Sequence, residues 1–458
     1  MKELILNPIF LPIILAIGTV YLAIVFCFTS RNKKLVAFLE KAFVILFFFT
    51  LHNPTLYGFR YLHPQSLAHD AKTLPSAAVQ VGLYTSVLFI LVPRLRYTLK
   101  DSLKVGVFII KKNPFLCLFL LILSLSAFWS RTPMHTFKSS LALLGTMTVT
   151  VYIAKQYSLK DFYHLFRWIG AGVALISLVK RGYHGKGWPG ILDHPNQLGA
   201  AMSLVATLWI WHAINNTKQR WLSIGMISVS FFLLQKTNSA GSKVQVFVLV
   251  SLLIYIQFIK KLSPKWAFVG VVIFLIVVTI GAILITENLE TIVVDVLNKD
   301  MTFTGRIPIW QLIWEKAIKL RPWLGYGYNG FWKPDLGVDD PSAGIIVASS
   351  GYKADHAHNG FVEIVIALGF VGFGLFVVSF FTTLARAVLY VTQTKEYESV
   401  LPIIILLFMV IVNISISRLL ASDYVWCYYI VSVVRLSLET KGMTFMGNQK
   451  NGRLGINT

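Results

Sequence analysis

The chain has 458 residues, of which 56% are hydrophobic, and 42 Lys and Arg residues against 20 Asp and Glu residues give it a net charge of +22 at pH 7. Only 14% of the residues are charged, whereas soluble domains carry about 25%. This composition excludes an ordinary soluble domain and indicates a protein that crosses a membrane several times. Nucleic-acid binding is not indicated, because the cations are scattered through short loops between apolar segments, where the positive-inside rule and anionic lipids account for them.

About thirteen apolar stretches approach the ~20 residues that an α-helix needs to cross a bilayer. They lie at 8–28, 36–51, 76–92, 114–130, 139–154, 165–179, 198–214, 221–235, 244–259, 266–285, 360–390, 400–417 and 423–438. The first is too long for the apolar part of a cleavable signal peptide and is predicted to be a span. We therefore predict an all-α, polytopic transmembrane helix bundle of about 12–13 spans.

Charges in the short loops orient the predicted bundle. Lys and Arg residues cluster after the first, third and ninth predicted spans, at 31–34, 94–112 and 260–265, and again in the tail. Because such clusters stay on the cytoplasmic side, the C-terminus is predicted to lie inside and the N-terminus outside. The long polar loop at 286–358 is then external.

The long loop is predicted to contain a short amphipathic helix. Pro308 suits a first helical turn, and Ile309, Leu312 and Ile313 recur at the spacing of one helical face. Pro322 ends the pattern. We expect this helix to lie on the membrane surface or over the mouth of a cavity.

Four cations at the outer ends of predicted spans or in the long loop are candidates for binding an anionic substrate. Arg306 and Arg321 lie among aromatic and glycine residues, and the planar guanidinium matches phosphate oxygens. Lipid headgroups or surface ion pairs are the structural alternative. Lys243 and Lys236 either hold a phosphate as a point charge or extend along the membrane interface.

His358 is the candidate general base. It stands at the mouth of a span, followed by Asn359, and a histidine of near-neutral pKa can take a proton from a sugar hydroxyl. The alternative is an interfacial histidine that bonds only to backbone. His356 competes for the same role and can instead pair with Asp355. A zinc site is not predicted, because the spacing of His356 and His358 does not suit one helical face and no third ligand is obvious.

Two glycine patterns have structural interpretations. Gly325–Gly330 matches G-x-G-x-x-G, but no predicted strand precedes it and no helix follows it, so a dinucleotide site is rejected and a flexible aromatic loop is predicted. Gly369, Gly372 and Gly374 lie within a predicted span, where small residues let helices approach closely.

A series of short motifs lies between residues 194 and 372. In chain order they are His194-Pro195-Asn196-Gln197-Leu198-Gly199, Ser242-Lys243, Thr304-Gly305-Arg306, Arg321-Pro322-Trp323-Leu324-Gly325-Tyr326-Gly327, His358-Asn359-Gly360, and Leu368-Gly369 with Gly372. Their order and spacing resemble the O-antigen ligase and O-antigen polymerase superfamily, with the nearest likeness to exopolysaccharide polymerases of the succinoglycan type.

The resemblance implies a metal-independent, inverting glycosyltransferase without a cofactor, whose donor is a glycan on undecaprenyl pyrophosphate. It implies that His358 is the general base on the acceptor hydroxyl, and that Arg306, Lys243 and Arg321 hold the pyrophosphate. Many members have an arginine where Lys243 stands, and lysine keeps the charge but loses the bidentate geometry. The supporting residues are expected to be His356, Asn359, Asn196 and Lys236.

The resemblance also sets the expected organisation and location. Residues 1–175 are membrane spans without a matched motif, residues 176–438 are the ligase/polymerase-like membrane domain, and residues 439–458 are a polar cytoplasmic tail. The expected location is the bacterial inner membrane, with the active site facing the periplasm or cell exterior.

The predicted function is polymerisation of glycan repeat units into exopolysaccharide or O-antigen. Ligation of the glycan to lipid A-core is the alternative, and a transporter or flippase for lipid-linked sugars is the alternative from another class, although no inverted repeat supports it. The expected partners are the lipid-linked glycan donor, a glycan or lipid A-core acceptor and the bilayer, with other polysaccharide export proteins as further candidates. No nucleic acid, metal or cofactor is expected.

Overall fold

A computed structural model describes residues 33–52, 111–180, 182, 187–192, 194–287, 306–333, 336, 339–347, 352–421 and 423–440. The predicted spans at 8–28 and 76–92 lie outside these residues, as do the first residues of the 304–306 motif and nearly all of the tail. The predicted division at residues 175 and 176 falls within a helix and stays a prediction.

Helices make up nearly all of the regular structure in the described residues. They are α1 (Lys33–Thr50), α2 (Pro114–Leu125), α3 (Pro133–Gln156), α4 (Leu159–Val179), α5 (Pro195–Asn215), α6 (Arg220–Lys236), α7 (Ala240–Ile259), α8 (Pro264–Glu287), α9 (Arg306–Ile313), α10 (Gly360–Gln393), α11 (Leu401–Ser415) and α12 (Tyr424–Glu439). Within the part of the chain described, 6 helical segments are long and apolar enough to cross a membrane: α3, α4, α5, α7, α10 and Tyr397–Ile414. The predicted all-α polytopic fold is confirmed.

Each predicted span within the described residues coincides with one helix, and proline accounts for several of the helix starts. Pro114, Pro133 and Pro195 each occupy the first turn of α2, α3 and α5, where the missing N–H has no helical partner to lose. Apolar length and these start signals are local, so the sequence pattern gives the helices directly.

The short helix predicted in the long loop is α9, and a π-helical turn at Trp314–Ile318 continues it. Its apolar face, with Ile309 and Ile313, is buried against the rest of the loop and the start of α10. Two short strands follow, β1 (Ile346–Val347) and β2 (Tyr352–Lys353), which pair antiparallel.

Contacts of the loop distinguish the two ends of the bundle. Ser126, at the end of α2, accepts a hydrogen bond from the backbone N–H of Tyr328 (2.9 Å). The Tyr328 hydroxyl donates to the carbonyl of Leu420 just before α12 (2.5 Å). The end of α2 and the starts of α10 and α12 therefore lie together, at what we call the loop end. At the opposite end, Glu439 of α12 accepts from the backbone N–H of Leu159 in α4 (3.4 Å).

Helix α10 is broken at Gly369, whose backbone angles (φ +65°, ψ −170°) are not helical. Loop segment 322–327 fills the break and makes four backbone hydrogen bonds to residues 366–371, at 2.8 to 3.2 Å. Two of them run from loop N–H groups to carbonyls before the break, and two run from N–H groups after it to loop carbonyls. Backbone groups that the break frees are thus paired, as a helix inside a membrane requires.

Two glycines allow this close contact. A Cβ at Gly369 would collide with the backbone of Trp323, and one at Gly325 (φ +63°) would collide with the carbonyl of Ile366. The prediction that Gly369 lets another helix approach is therefore wrong, because the partner is a loop. The expectation of a flexible loop at Gly325–Gly330 is wrong for the same reason, since backbone bonds to α10 hold its first part in place.

Candidate functional site

His358 lies between β2 and α10, half-buried, with a left-handed backbone (φ +53°). Such a conformation is uncommon for a residue other than glycine and costs on the order of 1–3 kcal/mol. Asn359 follows it and caps α10, because its Oδ1 accepts from the N–H groups of Phe361 (2.9 Å) and Val362 (3.2 Å). Asn359 therefore fixes the start of α10 directly after His358.

His356 packs directly against His358. The two ring centroids are 3.8 Å apart and the rings are tilted by 47°. His356 Nδ1 lies 2.6 Å from a carboxylate oxygen of Asp355, which favours the tautomer with the proton on Nδ1. The pairing of His356 with Asp355 that the sequence allowed is thus present.

Burial and neighbouring positive groups lower the pKa of His358 from 6.5 to about 4. Burial is the largest cause, the charges of His356, Arg306 and His194 act in the same direction, and Asp355 opposes them. His358 is therefore neutral at physiological pH, with a ring nitrogen able to accept a proton. The charges that act on it also show that Arg306 and His194, from two other parts of the chain, lie near it.

Arg306 begins α9 and is brought to the histidines by Trp310, one turn further along. Trp310 Nε1 donates to the carbonyl of Ala357, between the two histidines (2.8 Å). Residues four apart share a helical face, so this bond holds Arg306 on the side of His358. Burial lowers the pKa of Arg306 to about 10, which leaves it charged at neutral pH.

Glu363, one turn into α10, holds the same residue through its backbone N–H. Its carboxylate accepts from the N–H of Ala357 (2.6 Å) and from Nε1 of Trp332 (3.0 and 3.2 Å). The sequence analysis missed both Glu363 and the role of Trp310. The only local signal for Glu363 was an acidic residue in a first helical turn, which the helix dipole alone would explain.

The starts of α5 and α7 lie together at the loop end. His194 caps α5, since its Nδ1 accepts from the N–H of Asn196 (3.1 Å). A Cβ at Gly199 would collide with the side chain of Ser242 in the first turn of α7, so the two helix starts are packed tightly. Lys243 follows Ser242 and is half-buried. The structure thus places Asn196 and Lys243 on adjacent helix starts, and the charge of His194, just before α5, acts on His358.

Arg321 lies elsewhere in the loop and contacts other groups. Its Nη1 donates to the carbonyl of Trp129 (3.4 Å), and its guanidinium carbon lies 4.9 Å from the centre of the Tyr326 ring. These contacts join the segment that fills the α10 break to the α2–α3 connection. Binding of pyrophosphate by Arg321 stays a prediction.

Lys236 is exposed at the end of α6, and its Nζ lies 5.4 Å from the ring centres of both Trp188 and Phe232. Cation–π contacts of this kind are worth about 0.5–1 kcal/mol at exposed sites. The backbone carbonyl of Lys236 also accepts from the N–H of Trp188 (3.0 Å). Lys236 therefore holds the segment that precedes α5, and a direct role in substrate binding stays a prediction.

A cavity of about 550 Å³ opens at the loop end beside His356. Its volume is within the range of small-molecule sites, about 300–1,000 Å³. Its wall includes aromatic, hydroxyl, amide and cationic side chains, among them Trp332, Asn329, Lys353 and Ser417.

Asp355, His356 and His358 each offer one ligand atom, and these atoms lie within 4.8 Å of one another. Zinc is not predicted from the sequence partly because no third ligand is obvious there, and Asp355 supplies one. The prediction that a third ligand is missing is therefore wrong, and the absence of a metal from the reaction stays a prediction.

A family model described as O-antigen ligase matches residues 224–377. The match includes Arg306, both histidines of the site and the broken part of α10, whereas His194 and Asn196 precede it. No curated protein matches the chain.

Proposed function

We propose that this chain, of which residues 224–377 match the O-antigen ligase family model, polymerises glycan repeat units carried on undecaprenyl pyrophosphate. The observation that carries the proposal is the hydrogen bond from Trp310 of α9 to the Ala357 carbonyl (2.8 Å), which holds the helix of Arg306 beside His358, and the charge of Arg306 acts on that histidine. A base beside fixed cations suits transfer of a sugar away from a diphosphate.

In the proposed reaction, the acceptor hydroxyl gives its proton to His358 while its oxygen attacks the anomeric carbon of the donor sugar. The bond between that carbon and the phosphate oxygen breaks, and undecaprenyl pyrophosphate leaves with the bonding electrons. Attack from the face opposite the leaving group inverts the anomeric centre. Arg306 and Lys243 neutralise the charge that develops on the pyrophosphate.

Donor binding strengthens the base in this mechanism. Arg306 is one of the causes that lower the pKa of His358. A bound diphosphate places negative charge against that guanidinium, so it offsets the effect and raises the pKa of His358 towards its ordinary value. His358 thus becomes a better proton acceptor when the donor is in place.

We place the loop end in the periplasm or cell exterior, and the chain in the bacterial inner membrane. Lys260 and Lys261 follow α7, whose start is at the loop end, so they lie at the opposite end, as cytoplasmic cations should. No nucleoside triphosphate is available outside the membrane, and the activated lipid supplies the energy of transfer.

We propose that the transfer needs no bound metal, because Arg306 supplies the positive charge and Asp355 already engages His356. Treatment with EDTA should leave the elongation rate unchanged. Added Zn²⁺ should lower it by ligating the Asp355, His356 and His358 atoms that lie together. A rate lost on chelation and restored by a divalent metal would contradict this part of the proposal.

The test is to incubate the purified protein in nanodiscs with lipid-linked repeat units, with and without lipid A-core. A ladder of longer lipid-linked glycans in the absence of core supports polymerisation. A product formed only on lipid A-core supports ligation instead. Movement of unmodified lipid-linked glycan across the bilayer, without new glycosidic bonds, would overturn the proposal in favour of a flippase.

A further inference from the structure

The 550 Å³ cavity at the loop end is lined by His356, whose ring packs against that of His358. His356 forms part of its wall and packs against His358, which is not itself in the wall. Arg306 and His194, whose charges act on His358, do not line the cavity either. Of the two histidines, only His356 therefore lines the cavity, and the cations proposed for the diphosphate lie outside its wall.

The cavity wall has the chemistry of a carbohydrate site. Trp332 contributes an aromatic ring whose indole N–H is held by Glu363 (3.0 and 3.2 Å), so its position is fixed. Asn329 adds an amide from a left-handed backbone (φ +53°). Sugars present C–H groups to aromatic rings and hydroxyls to amides and other polar groups, and a mostly apolar wall with a few placed polar groups gives orientation.

Ser417 contributes a hydroxyl to the wall of the cavity. Its Oγ is shielded from solvent and has no hydrogen-bond partner among the described residues, and Ser417 lines the cavity. Buried hydroxyls are nearly always hydrogen-bonded, and rotation about the Cα–Cβ bond of Ser417 would turn this one into the cavity, where a ligand can pair it. A sugar hydroxyl can both donate to Ser417 and accept from it.

Lys353 is positioned by a buried carboxylate. Asp340 Oδ2 accepts from Lys353 Nζ (3.2 Å), while Oδ1 accepts from Ser342 Oγ (2.7 Å) and from the N–H of Lys333 (3.2 Å). The Asp340 side chain is 0% exposed and that of Lys353 is 45% exposed. The ammonium thus has a fixed place in the cavity wall and retains donors that can reach a ligand oxygen.

We infer that this cavity binds the acceptor glycan, with Ser417 and Lys353 hydrogen-bonding its hydroxyl groups and the reacting hydroxyl directed past His356 to His358. The inference rests on the proposed function, because only a transfer reaction needs an acceptor beside the base. It adds residues that select the acceptor, separate from Arg306 on the donor side.

The experiment measures binding and turnover separately. The probe is the oligosaccharide released by mild acid from the lipid-linked glycan of the producing cells, and its binding to the protein in nanodiscs is followed by saturation-transfer NMR. The variants are Ser417→Ala and Lys353→Gln. Their controls are Ser228→Ala and Lys319→Gln, which change an exposed serine on α6 and an exposed lysine after α9.

Each cavity variant is expected to weaken oligosaccharide binding, and to raise the KM for acceptor, by about 2- to 10-fold, the effect of one hydrogen bond. The KM for donor should stay constant, and both controls should behave as wild type. The inference is overturned if the oligosaccharide does not bind, or if the cavity variants bind it as wild type does.

The outcomes also separate this inference from the proposed function. Elongation that depends on His358 but is insensitive to Ser417 and Lys353 would leave the function standing and remove the acceptor site. Binding that depends on Ser417 in a protein that transfers no sugar would keep a carbohydrate site and remove the transferase.

Discussion

Two segments of the long loop contact α10 in opposite ways. Segment 322–327 lies in the break at Gly369 and uses its backbone N–H and C=O groups to complete the helix. Segment 355–358 precedes the start of α10, and the peptide at Ala357 is held by Trp310 and Glu363. The backbone polar groups of the first segment stabilise the fold. In the second segment only the backbone of Ala357 is held in this way, and the histidine side chains on either side of it can take part in a reaction.

The comparison separates two arginines that look alike in the sequence. Both lie near tryptophans and begin or follow the loop helix. Arg321 contacts a carbonyl and a tyrosine ring beside the first segment, whereas the charge of Arg306 acts on His358 in the second. Residue type therefore indicates what a side chain can bind, and the backbone around it decides what it does contact.

The largest expected effect comes from removing the base in the second segment. His358→Asn keeps a residue that tolerates a left-handed backbone, so the fold should be retained. The elongation rate should fall by about 10²–10⁴-fold, the usual contribution of a general base. The measurement is the initial rate of ladder formation. A normal rate in this variant, with the rate lost in His356→Asn instead, would move the base to His356.

The two arginines should differ by roughly an order of magnitude. Arg306→Gln should reduce kcat/KM for the lipid-linked donor by about 10- to 100-fold, because a hydrogen bond to a charged group is worth about 1.5–3 kcal/mol. Arg321→Gln should change kcat/KM by less than about 3-fold and act mainly on thermal stability. Equal losses of kcat/KM in the two variants would show that the contrast drawn between the segments is wrong.

The first segment should be sensitive to a single methyl group. Gly369→Ala places a Cβ against the Trp323 backbone at a positive φ, so the unfolding free energy should fall by at least about 1–3 kcal/mol from backbone strain alone. Gly374→Ala in the same helix is the control, since its Cβ would meet no atom within 4 Å in the described structure. Thermal unfolding in detergent measures both. Equal melting temperatures would show that segment 322–327 does not need the break.

The smallest effect is a shift in the pH dependence of the rate. His358 must be neutral to accept a proton, so activity is lost as pH falls through its pKa. For kcat/KM, which reports the free enzyme, this loss should occur near pH 4. For kcat the loss should occur at higher pH, because bound diphosphate offsets the effect of the Arg306 charge on the pKa of His358. In Arg306→Gln the acidic limb of the pH profile of kcat/KM should move to higher pH, because a guanidinium that lowers the pKa of His358 is removed. If the acidic limbs of kcat and kcat/KM coincide in the wild type, and that of kcat/KM is unchanged in Arg306→Gln, then Arg306 does not control the pKa of His358.

The sequence predicted the helices well because the signal for a membrane span is local. Apolar length and first-turn prolines placed α3 and α5, and a bilayer leaves few alternatives to a helix for such segments. The break at Gly369 was not predicted, because the sequence stays apolar through it and the partner segment lies more than forty residues earlier.

The candidate site was predicted in part. The resemblance indicated His358 and Arg306, which the structure brings near each other. Trp310 and Glu363, which hold Ala357 between the histidines, were not recognised, because their bonds span segments whose relative position no local pattern gives. Asn359 was expected as a supporting residue, and its function is a helix cap.

The central claim is that Arg306 and His358 meet at the pyrophosphate of the donor. A cryo-electron microscopy structure of the protein in nanodiscs with undecaprenyl pyrophosphate tests it most directly. We expect phosphate density at the loop end, within about 3 Å of the Arg306 guanidinium, a hydrogen-bond distance, and outside the 550 Å³ cavity. Phosphate bound at Arg321, or at the opposite end of the bundle, would contradict it.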